Sequence, residues 1–376
     1  MSPKSVVFKK ICKDKSVAVY MGKRDFVDRV DSVEPVGEFM DCKNRDKSVF
    51  VTLACTFRYG RDDMDVMGVA FRRELYLSTR QVYPPLQDRE KGIHTKTQAR
   101  LLRKLGNNAY PFFFEFPDNL PCSVALQPAP NDVGKQCAVE FEIKAFSADS
   151  QDAKVRKRST VALMIRKVQF APEDEGMAPS VEITKDFVMS EKPLHVKASL
   201  DKEIYYHGEP IKVHVNVTNT SNKNVKNIIL SVDQVSTVVL YSNDSYVKCV
   251  DIEDSGDSVS AGATLQKDYT LLPLLANNRE RRGIILDGKL KHEDTNLASS
   301  SIIKEGVLKE VLGIIVSYKV TVKLIIGGSV SLFPVCSEME EEMVFQEFKR
   351  SYLKGMADDD EEGNVSGGDD MAPKEK

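Results

Sequence analysis

The chain has no apolar run of the ~18 to 20 residues that a membrane-spanning helix needs, so a helical membrane protein is excluded. It has no Cys-x-x-Cys pair. Its seven cysteines, Cys12, Cys42, Cys55, Cys122, Cys137, Cys249 and Cys336, are odd in number, scattered, and preceded by no signal-like segment, which points to free thiols in a reducing compartment. Histidine is scarce: His94, His195, His207, His214 and His292 are dispersed without metal-ligand spacing. There is no nucleophile elbow, phosphate loop, dinucleotide fingerprint or nucleic-acid motif. Catalysis, a bound metal, a cofactor and a nucleic-acid partner are therefore not expected.

What is present is strand periodicity. Ile211, Val213, Val215 and Val217 alternate with Lys212, His214 and Asn216, and Val316–Ile326 repeats the period of two. Similar runs at Val17–Tyr20, Val49–Thr56, Ala138–Phe146, Val161–Phe170 and Ile228–Val232 are separated by Gly, Pro, Asn and Asp clusters, as in all-β sandwiches. A length of 376 residues exceeds what one core usually holds. Two sandwiches are expected, at 1–171 and 181–336, joined by a Pro- and Gly-containing acidic linker at 172–180 and followed by a tail at 337–376. Gly327-Gly328 reads as a turn. Thr95–Leu105 departs from the strand period, setting Leu101, Leu102 and Leu105 on one side. A capping box at Thr95–Gln98 and a terminal Gly106 predict one short amphipathic helix, whose apolar face needs a sheet or another segment to cover it.

Net charge is -3, but it is unevenly spread: +9 over residues 1–170, -4 over 171–336 and -8 over 337–376. The mixed positive half suits a compact anion better than a nucleic acid. Arg166 lies in a strand, with a solvated role and an inward, carboxylate-paired role both open. Lys9 and Lys10 follow Val6, Val7 and Phe8, and read equally as solvated or as part of a basic site. In the acidic tail, Val344, Phe345 and Phe348 are more apolar than a solubilising segment requires, and suggest that it docks.

The segments Gly22-Lys-Arg-Asp-Phe26, Asp65-Val-Met-Gly68, Tyr110-Pro-Phe112, Asn119-Leu-Pro-Cys-Ser123, Ile165-Arg-Lys-Val168, Leu275-Ala-Asn-Asn-Arg-Glu280 and Leu286-Asp-Gly-Lys-Leu-Lys-His-Glu-Asp-Thr-Asn-Leu-Ala-Ser299 closely resemble the arrestins. Gln234–Tyr241 is similar to the visual members, and the short acidic tail without a clathrin-box sequence points to the cone photoreceptor type. The resemblance implies an all-β fold of two antiparallel seven-stranded sandwiches with one helix in the first, in a non-enzymatic cytoplasmic protein of the cone inner and outer segments. It implies a phosphorylated, light-activated opsin or other G-protein-coupled receptor as partner, with room for peripheral membrane contact and weak or absent clathrin and adaptor binding. A β-arrestin-like endocytic or scaffolding adaptor is the alternative.

By this resemblance Asp25, Arg166, Asp287, Asp294 and Arg350 form a buried polar core, three carboxylates against two arginines. Lys9, Lys10, Arg24, Lys104 and Lys291 would bind receptor phosphates. Val6, Val7, Phe8, Leu101, Leu105, Val344, Phe345 and Phe348 would form a three-part hydrophobic clasp. Arg61, Asp62, Asp63, Met64, Asp65, Val66, Met67 and Gly68 would form the finger loop that enters the receptor.

Several positions depart from the family pattern. Thr97 stands in the helix where leucine is expected, Ile229 and Asp233 where inositol-phosphate-binding bases are expected, and Tyr352 where the adaptor motif has arginine. Only 20 residues separate Lys323 from Val344. Val330–Cys336 is then an abbreviated last strand, or the second sandwich is incomplete. The seven residues Ser337–Met343 would reach only about 23 Å, which implies a weakly docked tail.

Overall fold

The computed structural model describes residues 7–335 except 30–31, 43–45, 62–71, 87–95, 118–119, 128–134, 172–176, 240–242, 289, 291–294, 303–312 and 328. Its first half contains β1 (Phe8–Ile11), β2 (Val17–Met21), β3 (Asp25–Arg29), β4 (Ser32–Val33), β5 (Val36–Cys42), β6 (Ser48–Arg61), β7 (Arg72–Tyr83), α1 (Lys96–Leu105), β8 (Ala109–Phe114), β9 (Val124–Leu126), β10 (Lys135–Ala148) and β11 (Thr160–Gln169). One sheet runs β1-β2-β5-β8. The facing sheet runs β9-β10-β11-β3-β4, with β6 and β7 extending from β10. The period of two builds the core between them. Val49, Val51, Leu53, Cys55 and Phe57 of β6 line up with Val139, Phe141, Ile143 and Ala145 of β10, and with Val161, Leu163 and Ile165 of β11. Val17, Val19, Met21, Val36, Met40, Phe112 and Phe114 close the core from the other sheet.

The second half contains β12 (Ser180–Lys185), β13 (Leu194–Leu200), β14 (Ile211–Asn219), β15 (Val225–Val239), β16 (Asn243–Asp254), β17 (Thr264–Leu271), β18 (Ile285–Asp287), β19 (Gly313–Ile326) and β20 (Ser329–Val335). Two four-stranded sheets, β12-β13-β14-β17 and β16-β15-β19-β20, enclose a separate core around Val213, Val215, Val217, Leu230, Val232, Val322 and Leu324. The short strand after Gly327 is β20, paired with β19 from Ser329 opposite Ile326 to Val335 opposite Val320. Both halves thus carry the all-β sandwich architecture and one α-helix expected from the sequence. Among the described residues the first half holds β1 to β11, and the second holds eight strands in its own two sheets besides β18. The six described cysteines are free thiols.

Two features of connectivity position the functional residues. β11 pairs with β3 in parallel, in the register Arg166 opposite Asp25. β18, although it comes late in the chain, pairs with β9 of the first half, with Asp287 opposite Val124. The helix docks on the outer face of the β1-β2-β5-β8 sheet, where Leu101, Leu102 and Leu105 pack on Ala18, Tyr20, Phe39 and Ala109. Gln98 is fully buried, and its Nε2 donates to the carbonyls of Phe112 (3.3 Å) and Glu38 (3.5 Å). Its amide therefore pins the helix to the sheet, a role beyond the capping expected of it. Gly37 gives it room, since a Cβ there would lie 3.3 Å from Gln98 Nε2.

Candidate functional site

Three cations of the first sandwich follow the edge of β11. Lys10 Nζ donates to the Ala162 carbonyl at 2.6 Å, and Arg24 Nε, from the turn between β2 and β3, donates to the Met164 carbonyl at 2.9 Å. Arg166 comes next on the same strand. Because a strand advances about 6.6 Å every two residues, positions 162, 164 and 166 together span roughly 13 Å of β11. Lys9 is paired with Tyr20 across the ladder, with Nζ 5.1 Å from the ring centroid. The Tyr20 hydroxyl holds the Lys9 ammonium above the usual lysine range. Arg24 also stacks over Phe8, 5.6 Å from its ring centroid.

Arg166 grips Asp25 with two parallel bonds, Nε to Oδ1 at 2.6 Å and Nη2 to Oδ2 at 2.8 Å, the fork geometry that makes arginine-carboxylate pairs strong. The parallel register of β3 and β11 creates this pair from residues 141 apart in sequence. The Arg166 side chain is 15% exposed and that of Asp25 47%, so the pair has an open side. The third arm of Arg166, Nη1, donates to the Gly288 carbonyl at 3.2 Å. Gly288 in turn donates its N–H to the Ser123 carbonyl at 2.8 Å, and a Cβ at 288 would lie 2.5 Å from Ser123 Cβ. Only glycine permits this approach.

Asp287 sits one residue from that contact, but its carboxylate turns to Ser299. It accepts from the Ser299 N–H at 2.8 Å and Oγ at 3.1 Å, and lies 3.5 Å from His207 Nε2. Asp294, Arg350 and Lys291 fall outside the described residues, as do Val6, Val344, Phe345, Phe348 and Asp62 to Gly68. Arg61 ends β6, opposite Lys135.

The chain matches the family model for the arrestin (or S-antigen) N-terminal domain over residues 17–171, and that for the C-terminal domain over residues 190–340. It belongs to the arrestin family. Among similar proteins, S-arrestin from Xenopus laevis is 52% identical over 374 residues, covering 93% of this chain and 94% of the relative. S-arrestin from Homo sapiens is 57% identical over 332 residues, covering 87% and 82%, and human Beta-arrestin-2 is 49% identical over 400 residues, covering 95% and 98%.

In this arrestin the residues assigned to the clasp separate onto two faces. Leu101 and Leu105 of α1 lie on the helix side of the β1-β2-β5-β8 sheet. Phe8 instead packs against the sandwich core and lies beneath Arg24. Strand alternation gives the reason: Phe8 is opposite core-facing Met21, whereas Lys9 is opposite Tyr20, on the helix side. Val7 is 37% exposed just before β1, and Lys104 is exposed near the end of α1. Asp233 is buried and accepts from Thr321 Oγ1 at 3.2 Å, so a carboxylate occupies the position where the family pattern suggests a base.

Sequence reasoning missed Lys167. The buried stripe of β11 is Val161, Leu163, Ile165 and then Lys167, which is 1% exposed, while Arg166 lies on the other face. Lys167 Nζ pairs with the Asp28 carboxylate and donates to the Leu120 carbonyl at 2.8 Å, with Cys122 Sγ 3.8 Å away. Counting the alternation forward from Ile165 would have placed this lysine inside. Burial pushes the Cys122 thiol up to about 12, against the opposing charge of Lys167, as it does for Cys42 and Cys137 without that opposition.

Among the described residues, no helix is long and apolar enough to cross a membrane, and no cluster of His, Cys, Asp and Glu is arranged to hold a metal ion.

Proposed function

We propose that this arrestin binds a light-activated, phosphorylated opsin and ends its signalling by occupying the surface that a G protein would use, without transforming any substrate. The observation that carries this reading is that Lys10 and Arg24 attach to residues 162 and 164 of β11, and Arg166 stands at the next alternate position. An extended receptor tail phosphorylated on alternate residues has the same repeat, and each phosphate brings about -1.5 to -2 charge with three acceptor oxygens. Lys9 and Lys104 are further exposed cations of the first sandwich, and Lys291 is assigned the same phosphate-binding role in this proposal. A phosphate arriving on the open side of Asp25 competes for the Arg166 fork. Loss of that grip frees the Gly288 carbonyl and removes one of the contacts between the first sandwich and the later half of the chain, beside the β9–β18 ladder.

In this reading the acidic tail occupies the same basic surface before the receptor does, Arg350 and Asp294 complete the polar core, and Arg61–Gly68 enters the receptor. The chain divides into functional units at 1–171, 172–180, 181–336 and 337–376. It acts in the cytoplasm of photoreceptors, cones in particular, with little clathrin or adaptor binding because Tyr352 disrupts the motif after Phe348. Charge reversal by Arg166→Glu is the test. The variant should bind light-activated opsin that carries no phosphate, and a continued requirement for phosphorylation in a pull-down would defeat the trigger. Capture of clathrin adaptor by the full chain at the level of a β-arrestin would favour the endocytic alternative.

A further inference from the structure

Asp25 is held by the Arg166 fork, whereas the Asp287 carboxylate beside it turns toward a different set of partners. Among the described residues the one cation-capable partner of Asp287 is His207. This histidine lies in the loop between β13 and β14, which is held in shape by its own contacts. Lys202 pairs with Glu209, Glu209 accepts from the Tyr206 N–H at 2.9 Å, and Gly208 adopts a left-handed φ of 82° that lets the chain turn directly after His207. At the end of this loop His207 Nε2 lies 3.5 Å from Asp287 Oδ2 and 3.3 Å from Ser299 Oγ.

The location gives the contact its meaning. The His207 loop connects two strands of the second sandwich. Asp287 ends β18, whose ladder is with β9 of the first, and it is followed at once by Gly288, the residue whose carbonyl Arg166 holds. A bond between His207 and Asp287 therefore ties the second sandwich to the strand inserted into the first, one residue from the polar core.

We propose that His207 is a further positioning residue of the polar core: when protonated it pairs with Asp287 and latches the second sandwich to β18, and when neutral it loosens that latch. Histidine side chains change charge between about pH 5 and 8. Among the described residues, the groups facing the imidazole are the Asp287 carboxylate from β18 and the Ser299 hydroxyl from the segment that follows it, while Lys202 and Glu209 of its own loop are paired with each other. Tyr318 donates its hydroxyl to the carbonyl of Ala298, the residue before Ser299, at 2.6 Å. The side chains are 42% and 23% exposed, so the pair belongs to the modest class of ion pairs.

The ion pair stands on geometry alone; its effect on activation rests on the function proposed above, and the test separates the two. Urea unfolding of the full chain is compared near pH 6 and near pH 8 for the wild type, His207→Gln, Asp287→Asn and the double variant. Gln keeps a hydrogen bond to Ser299 but cannot take a charge. Between the two pH values the wild type should gain about threefold more in its folding constant than His207→Gln. Asp287→Asn should lose the same increment, and the double variant should lose no more. A His207→Gln protein that keeps the full pH difference, or losses that add in the double variant, would overturn the pairing.

A second arm uses a synthetic peptide bearing phosphoserine at alternate positions. His207→Arg, charged at every pH, should bind it about threefold more weakly than wild type near pH 8. Equal binding would overturn the latch even if the ion pair exists. Failure of the wild type to bind the peptide at all would count against the proposed function and leave the pairing result standing.

Discussion

Replacing Lys167 by methionine tests the principle that strand alternation can force a charge into the core and that its partner then becomes a liability. Lys167 is 1% exposed and its carboxylate partner, Asp28, 18%. Methionine fills much of the same volume but carries no charge, so Asp28 loses its cation, and the Leu120 carbonyl loses its donor. Removing one member of a buried pair costs roughly 3 to 5 kcal/mol, and the partial exposure of Asp28 favours the lower end, about 3 kcal/mol. For a sandwich of this size that is a fall in Tm of about 6 to 12 °C. The assay is thermal and urea unfolding of Lys167→Met, Asp28→Asn and the double variant. The double variant should recover much of the loss, because neutral Asn is no longer an orphaned charge, giving a coupling of roughly 2 kcal/mol. A single Lys167→Met variant within 1 kcal/mol of wild type, with no coupling to Asp28→Asn, would refute the reasoning.

Glu38 gives a pH prediction. Burial pushes its carboxyl up to about 7, opposed by the N–H groups of Gly22, at 2.9 Å, and Lys23. A carboxyl whose folded value is raised stabilises the protein below its unfolded value near 4.5, and that stability is lost as pH climbs through about 7. Glu38→Gln should therefore flatten the stability profile between about pH 5 and 8, and be the more stable protein by roughly 2 to 3 kcal/mol at the upper end, measured by urea unfolding. Gly288→Ala should push β18 away from Ser123 and weaken the Arg166 contact, lowering Tm and raising hydrogen exchange at the Gly288 and Ser123 amides; unchanged exchange at both would contradict it. Leu101→Ala should cost about 2 to 3 kcal/mol of helix docking and expose α1 to proteolysis before the sandwiches unfold, which limited digestion will show.

Most of the fold was legible in the sequence because its signals are local. The alternation at Ile211–Val217 appears directly as the buried face of β14, and the leucines of Thr95–Leu105 predict both a helix and the side it buries. Gly327 marks the turn into β20. The resemblance to the arrestins added residue assignments that no spacing could supply. The sequence even held an unread signal, since continuing the period from Ile165 places Lys167, not Arg166, in the interior.

What the chain could not show by itself are the meetings of distant residues. Asp25 and Arg166 are joined only because β3 and β11 run parallel in one register, and shifting that register by one residue would turn one of the two side chains to the opposite face. Local pattern determined that Phe8 is apolar and lies beside basic residues, but pairing with Met21 decided that it serves the core and not the helix side. Ser299 reaches Asp287 through the antiparallel bridge of Leu286 with Leu297, and His207 comes to both from a loop of the second sandwich. Periodicity is written residue by residue along the chain, whereas pairing partners and register are fixed by the closure of sheets across it.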